Sequence, residues 1–271
     1  MSNPAITFIG GGNMASSIIG GLVAEGYDAK AITVSDPVRE NLEQLNRDFG
    51  VHVTSDNQQA VANAAAVVLA VKPQVMKTVC SDLSDALQQP LIISIAAGIT
   101  AGHLQQWLGG HLPIVRCMPN TPALVQLGAS GLYANEQCED NDKQLAERVL
   151  SAVGIVEWLD SETLIDAVTA ISGSGPAYFF LMMEAMIAAG VKQGLPQETA
   201  SRLAIQTCLG AGKLASESDV EPAELRRRVS SPGGTTLKAL ESFEHDDFHA
   251  VVERAMAACA ARAEEMANEL S

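Results

Sequence analysis

The stretch Ile6–Leu22, ITFIGGGNMASSIIGGL, decides how the rest of the chain is interpreted. Gly10, Gly12 and Ala15 fit the pattern G-x-G-x-x-G/A, which allows a tight turn, a close backbone approach to a pyrophosphate and close helix packing. The helix that follows has an apolar stripe, and its N-terminus would face the phosphates of a dinucleotide. The stretch therefore predicts a dinucleotide site whose first contacts are Gly10, Gly12, Asn13 and Met14.

Short β-branched runs alternate with helical patterns from Ile6 to about Leu159, which is typical of right-handed βαβ units. After Asp160 no strand pattern recurs. The helical segments there are Thr163–Ile171, Pro176–Gln193, Pro196–Ser216, Pro222–Val229, Thr235–Phe243 and Asp246–Leu270. We therefore predict an α/β, Rossmann-type domain with a doubly wound parallel sheet over residues 1–160 and an all-α domain over residues 161–271.

Composition narrows the functional classes. The 271 residues carry a formal charge of −15, which disfavours binding to nucleic acid or to an anionic membrane surface. The five cysteines are widely spread, so neither a disulfide framework nor a metal site is expected. The N-terminus lacks the features of a signal peptide, and the longest apolar run, Ala64–Val71, is too short to cross a bilayer. These features predict a soluble, cytoplasmic protein.

The second strand, AITVSDP, is expected to end beside the adenosine ribose. Asp36 could accept hydrogen bonds from the ribose hydroxyls of NAD and repel the 2′-phosphate of NADP, whereas Ser35 and Arg39 could receive that phosphate. Alternatively, Asp36 caps a helix at Val38–Asp48 with Pro37 in its first position. The sequence leaves these interpretations open, and it therefore does not decide whether the cofactor is NAD or NADP.

Three further strand ends are candidates for cofactor contacts, because ligands collect at the carboxyl ends of strands in doubly wound sheets. The strand AVVLAV, which ends at Val71, runs into Lys72 and Pro73, although a helix beginning at Pro73 explains this segment without a ligand. The other two candidate segments are Ala96, Ala97 and Gly98, and Met118, Pro119 and Asn120. The last of these can equally be a stiff connection to a strand at Ala129–Ala134.

The segment Pro176–Gly190, PAYFFLMMEAMIAAG, is apolar nearly all the way round, with Glu184 as its only charge. A helix without a polar face must be enclosed, and a domain of this size can scarcely enclose it alone. A homodimer whose helical domains wrap each other solves this problem.

Several ordered blocks resemble the pyrroline-5-carboxylate reductase family along essentially the whole chain. These blocks are IGGGNMA, VKPQ, SIAAGIT, MPNTPA, AISGSGPAYFF and VSSPGGTT. The resemblance implies NAD(P)H-dependent reduction of 1-pyrroline-5-carboxylate to L-proline, in a homodimer joined by its all-helical dimerisation and substrate-binding domain, with dimers in some cases assembled into larger rings. The pair Asp36-Pro37 departs from the sequence that many NADPH-preferring members have here.

The same resemblance gives a role to VSSPGGTT, residues 229–236. Peptide amides at a helix start can bind the substrate carboxylate, and glycine gives access where a Cβ would intrude. The predicted substrate contacts are Ser231, Gly233, Gly234, Thr235 and Thr236, with Ser231 as the helix cap. The family's second threonine contacts the ring nitrogen, and this catalytic role would be taken by Thr236.

Two other classes of function remain open. One is a related reductase that uses coenzyme F420 or acts on another imine acid. The other is a dinucleotide-sensing module without turnover, although the complete VSSPGGTT segment argues against it.

Overall fold

The computed structural model describes residues 3–269. Its N-terminal part is built on an eight-stranded sheet in the order β3-β2-β1-β4-β5-β6-β7-β8. The strands are β1 Ile6–Ile9, β2 Ile32–Ser35, β3 His52–Thr54, β4 Ala66–Leu69, β5 Leu91–Ser94, β6 Ile114–Met118, β7 Gly128–Ala134 and β8 Gly154–Trp158. The order places β1 next to β4, with β2 and β3 on one side and β5 and β6 on the other, as in a doubly wound sheet.

Helices cover both faces of this sheet. They are α1 Asn13–Ala24, α2 Arg39–Phe49, α3 Asn57–Val61, α4 Pro73–Leu83, α5 Ala101–Leu108 and α6 Asp140–Ser151. Successive residues of a strand point to opposite faces, so Val68 of β4 belongs to one hydrophobic core and Leu69 to the other. Both faces are thereby buried, which accounts for the continuous apolar runs in the sequence.

The predicted Rossmann-type architecture is confirmed, with two differences. Strands β1 to β6 are parallel as predicted, but β7 is antiparallel to β6, and β8 is parallel to β7. Only residues 119–127 join β6 to β7, too few for the crossover that a parallel strand needs. The sequence reading also missed β3, because its three residues are exposed or half-buried and show no apolar run.

The C-terminal part is helical, as predicted. Its elements are α7 Leu164–Val168, a π-helical turn at Thr169–Gly173, α8 Gly175–Lys192, α9 Gln197–Ser216, α10 Pro222–Arg228, α11 Thr235–His245 and α12 Phe248–Glu269. The predicted end of the last helix at Leu270 lies outside the described residues.

Contacts divide the described residues into two compact units, residues 3–174 with 259–269, and residues 175–258. The helix α7 and the π-helical turn belong to the first unit because they pack on β6 and β7. The predicted domain boundary after residue 160 is a different division and stays a prediction.

The second unit leaves many large apolar side chains exposed. On α8, Phe179, Phe180 and Leu181 are 61%, 61% and 66% exposed. Within the described residues, Leu164–Lys192 is long and apolar enough to cross a membrane by length and composition alone. One such stretch is weak support for a membrane segment, because apolar helices covered by protein pass the same test.

Candidate active site

The turn after β1 has the geometry that its glycines predict. Gly10 has a φ of +100°, and a Cβ there would lie 2.6 Å from the carbonyl oxygen of Ala70, at the end of β4. A Cβ on Gly12 would meet no described atom within 4 Å, so the turn is open on that side. Helix α1 begins at Asn13, and no described side chain caps it or places an acid in its first turn. Free amides beside an open glycine fit a pyrophosphate.

Asp36 is used inside the protein. Its Oδ2 accepts a hydrogen bond from the Gly11 amide at 2.6 Å, and its Oδ1 accepts from the amide of Val38 at 2.7 Å and from Asn41 Nδ2 at 3.3 Å. The residue is only 7% exposed. Asp36 therefore braces the glycine turn. It is not the N-cap of α2, which is Val38, and Pro37 lies outside the helix.

The two candidates for a 2′-phosphate contact are placed very differently. Ser35 is 1% exposed, and its hydroxyl donates to Asn57 Oδ1 at 2.7 Å. The side chain of Arg39 is 87% exposed, with Nε donating to Glu43 Oε1 at 2.7 Å. Of these two side chains, only Arg39 is accessible to a phosphate.

The segments that follow β4 and β5 contain the next candidate cofactor contacts. Lys72 is exposed at the N-cap position of α4, whose first residue is Pro73, and Val71 is half-buried. After β5, Gly98 adopts a φ of +74°, between the half-buried Ala97 and the start of α5. Ala96 belongs to the core beneath this turn. Because β4 and β5 are parallel neighbours, these segments lie at the same edge of the sheet as the glycine turn.

The segment after β6 is anchored from two sides. Asn120 Nδ2 donates to the carbonyl of Ser172 at 3.0 Å, and Asn120 Oδ1 accepts from the amide of Ala129 at 2.9 Å. A Cβ on Gly173 would lie 2.6 Å from Met118 Cε. Pro119, between Met118 and Asn120 in the sequence, is buried. The π-helical turn is thus brought to the carboxyl end of β6.

Sequence reasoning missed a buried ion pair at the same edge. Arg116 Nη1 lies 3.2 Å from Glu162 Oε1, and the side chain of Arg116 is only 5% exposed. Glu162 Oε1 also accepts from the Ala101 amide at 2.7 Å, at the positive end of α5. Burial raises the pKa of Asp166, and the charge of Arg116 partly offsets this rise. Burial lowers the pKa of His103, and the charge of Glu162 partly offsets that fall. The available signal for this ion pair was an arginine, Arg116, within an apolar strand sequence. Its partner Glu162 is 46 residues further along the chain, so the sequence did not indicate the pairing.

The VSSPGGTT segment forms one turn at the start of α11. Gly233 has a φ of +72°, and the amide of Gly234 donates to the carbonyl of Ser231 at 3.0 Å. The N-cap is Gly234 and not Ser231, so the expectation for Ser231 was wrong on this point. Thr235 and Thr236 are exposed in the first turn, where no described side chain caps the helix or adds an acid. The five predicted substrate contacts are therefore local neighbours around free amides.

A doubly wound sheet with an open glycine turn, followed by a helical unit with an exposed apolar surface, defines the class of dinucleotide-dependent oxidoreductases with a helical C-terminal domain. A family model described as pyrroline-5-carboxylate reductase dimerisation matches residues 162–266, and one described as NADP oxidoreductase, coenzyme F420-dependent, matches residues 5–98. The chain belongs to the pyrroline-5-carboxylate reductase family.

Relatives support this assignment over the full length. The chain is 56% identical to the pyrroline-5-carboxylate reductase of Pseudomonas aeruginosa over 271 residues, covering 100% of this chain and 99% of the relative. Among solved structures, the reductase of Coxiella burnetii has a TM-score of 0.94 at 46% identity, covering 97% of this chain and 98% of that one. The Plasmodium falciparum enzyme with NADP bound has a TM-score of 0.86 at 30% identity, covering 98% and 99% of the two chains.

Proposed function

We propose that this chain catalyses the NAD(P)H-dependent reduction of 1-pyrroline-5-carboxylate to L-proline, the last step of proline biosynthesis. The observation that carries the proposal is the turn at residues 231–236. Two glycines precede the free amides at the start of α11, and the first two helical residues are exposed threonines. Such a site suits a small carboxylate with one further hydrogen-bonding group.

The amides of Thr235 and Thr236 bind the substrate carboxylate in this proposal, since the Gly234 amide already donates to the Ser231 carbonyl. They lie at the positive end of α11, and the first turn has no acidic side chain among the described residues to compete for them. The left-handed turn at Gly233 lets the backbone approach the ligand closely.

Thr236 orients the ring. Its exposed hydroxyl can accept a hydrogen bond from the N–H of the protonated imine. A protonated C=N bond needs no further acid on the protein when carbon is reduced, so positioning supplies most of the catalysis. This accounts for a substrate site whose proposed contacts include no histidine, lysine or carboxylate.

The proposed cofactor contacts are the glycine turn at Gly10, Gly12, Asn13 and Met14 and the strand ends on the same edge of the sheet. These strand ends are Ser35, Asp36, Val71, Lys72, Pro73, Ala96, Ala97, Gly98, Met118 and Pro119. A reduced nicotinamide, when bound, supplies the hydride. The amides at the start of α1 would hold the pyrophosphate, while the buried Ser35 and Asp36 would contribute through the backbone that they fix.

The assembly proposed is a homodimer, in which a second copy covers the exposed apolar side chains of α8. Its basis is the match of residues 162–266 to a dimerisation domain. Assembly of dimers into a larger ring, a cytoplasmic location and the absence of membrane and nucleic-acid partners belong to the same proposal. The charge of −15 is consistent with the last two points.

The test is a rate measurement on the purified chain with 1-pyrroline-5-carboxylate and either NADPH or NADH. We expect the reduced nicotinamide to be consumed and an equal amount of proline to form. Reduced coenzyme F420 is the third donor to test, because the match at residues 5–98 carries that description. Absence of proline with both nicotinamide donors would overturn the proposal.

A further inference from the structure

We propose that Asn120 is a positioning residue, which fixes the π-helical turn against the carboxyl end of β6 and so sets the geometry for hydride transfer without contacting the cofactor. The inference rests on the proposed function and deepens it. It also replaces the expectation that Asn120 is a cofactor contact.

The hydrogen bonds of the Asn120 side chain leave it little capacity to bind a ligand. Its amide oxygen accepts from the Ala129 amide, its amide nitrogen donates to the Ser172 carbonyl, and the residue is 8% exposed. A side-chain amide offers two donors and one oxygen, and here both ends are already bonded to backbone. One side chain therefore joins the segment after β6 to the start of β7 and to the π-helical turn.

The π-helical turn departs from regular α-helical hydrogen bonding, and the bond from Asn120 holds it in place. The Ser174 amide donates to the Thr169 carbonyl at 2.8 Å, five residues back, which is the bond of a π-helix. Turns of this kind are rare and occur often at functional sites. Its close approach to Met118 is possible because Gly173 has no side chain. Loss of the Asn120 bond would free Ser172 and let the turn move away from the edge where the nicotinamide is proposed to bind.

The chain contains a matched control for this argument. Asn135 is 9% exposed, its Oδ1 accepts from the Ile114 amide at 2.9 Å, and its Nδ2 donates to the Leu112 carbonyl at 3.0 Å. It thus makes the same two kinds of bond to backbone as Asn120, and its Oδ1 also accepts from Cys138 Sγ at 3.3 Å. However, Ile114 begins β6 whereas Met118 ends it, so the two asparagines close opposite ends of the β6–β7 pair. A structural role alone predicts the same consequence for both.

The experiment compares Asn120→Ala with Asn135→Ala in the full-length chain. We expect similar losses of thermal stability, on the order of several degrees, because each variant loses two side-chain hydrogen bonds to backbone. In single-turnover mixing with saturating NADPH and 1-pyrroline-5-carboxylate, hydride transfer should slow by about 10- to 100-fold in Asn120→Ala. It should change by less than about threefold in Asn135→Ala, and the Kd for NADPH should change by less than about threefold in both variants.

A second pair of variants covers the case in which an alanine variant does not fold. Asn120→Asp and Asn135→Asp keep the oxygen that accepts from Ala129 or Ile114 and remove the amide donor. The same split in the rate of hydride transfer is expected. Equal slowing in the two members of a pair, or an Asn120 variant that loses NADPH affinity as strongly as rate, would overturn the inference. A wild-type chain that forms no proline would instead overturn the proposed function.

Discussion

The carboxylate of Asp36 accepts a hydrogen bond from the Gly11 amide at 2.6 Å, and this contact ties the end of β2 to the glycine turn after β1. Because Val38 and Asn41 donate to the same carboxylate, its position is fixed from three sides. The bracing role and the ribose-binding role of Asp36 make different predictions.

We expect Asp36→Asn to weaken the binding of NADPH and NADH by a similar factor, about tenfold, because a hydrogen bond to a charged group is lost from the turn that both cofactors share. Fluorescence titration of the two reduced cofactors measures this. A variant in which NADPH binds more tightly while NADH binds more weakly would support ribose binding and charge repulsion instead.

Arg39 is the residue expected to distinguish the two cofactors. Its side chain is 87% exposed next to β2, where a 2′-phosphate would lie. Arg39→Ala should raise the KM for NADPH by about tenfold and leave that for NADH within about twofold. The control is Glu43→Gln, which removes the partner of Arg39 and should not weaken NADPH binding. Equal effects of Arg39→Ala on both cofactors would exclude a phosphate contact.

Thr236→Ala should lower kcat/KM for 1-pyrroline-5-carboxylate by about 10- to 100-fold, the scale of a lost hydrogen bond to a charged group. The Kd for NADPH should remain unchanged, since the hydroxyl is assigned to the substrate. Thr236→Ser retains the hydroxyl and is expected to keep most of the activity. If the alanine variant lost cofactor affinity and substrate turnover in parallel, Thr236 would not have the assigned role.

Glu162→Gln tests the buried ion pair. The variant keeps an oxygen for the Ala101 amide but leaves the buried Arg116 without its carboxylate. We expect the free energy of unfolding to fall by about 1–3 kcal/mol, measured by urea denaturation. Glu43→Gln removes one member of the exposed Arg39–Glu43 pair and should change stability by less than about 0.5 kcal/mol. Equal losses of unfolding free energy in the two variants would mean that the burial of Arg116 does not increase the contribution of its ion pair to stability.

Phe180→Glu tests the helical interface. Phe180 is 61% exposed on α8, and a charge there opposes its burial by a second copy. Because the contact would occur twice in a symmetric dimer, the dissociation constant should rise by about 100-fold or more. Sedimentation over a range of concentrations measures this change. An assembly that is unaffected at every concentration would place Phe180 outside the interface.

The sequence was informative where one residue type alone meets the local requirement. Gly10 shows this, since its positive φ and the nearby Ala70 carbonyl leave no room for a side chain. The strands were readable because burial on both faces gives continuous apolar runs, whereas the exposed β3 gives none.

The sequence did not indicate which partners the polar side chains at the strand ends would bond. Asp36 and Gly11 are 25 residues apart, and Asn120 and Ser172 are 52 apart. Such partners are decided by packing between distant elements. A polar residue at a strand end can therefore hold the site together instead of contacting the ligand, and pattern alone does not separate the two cases.

The glycine turn is fastened to β2 through the amides of Gly10 and Gly11 and rests against the end of β4. A ligand that holds this turn consequently holds three adjacent strands at once. By linkage, a dinucleotide bound at this turn, oxidised or reduced, would stabilise the folded domain as well as take part in turnover. Depletion of the whole dinucleotide pool would make the same molecules both inactive and easier to degrade.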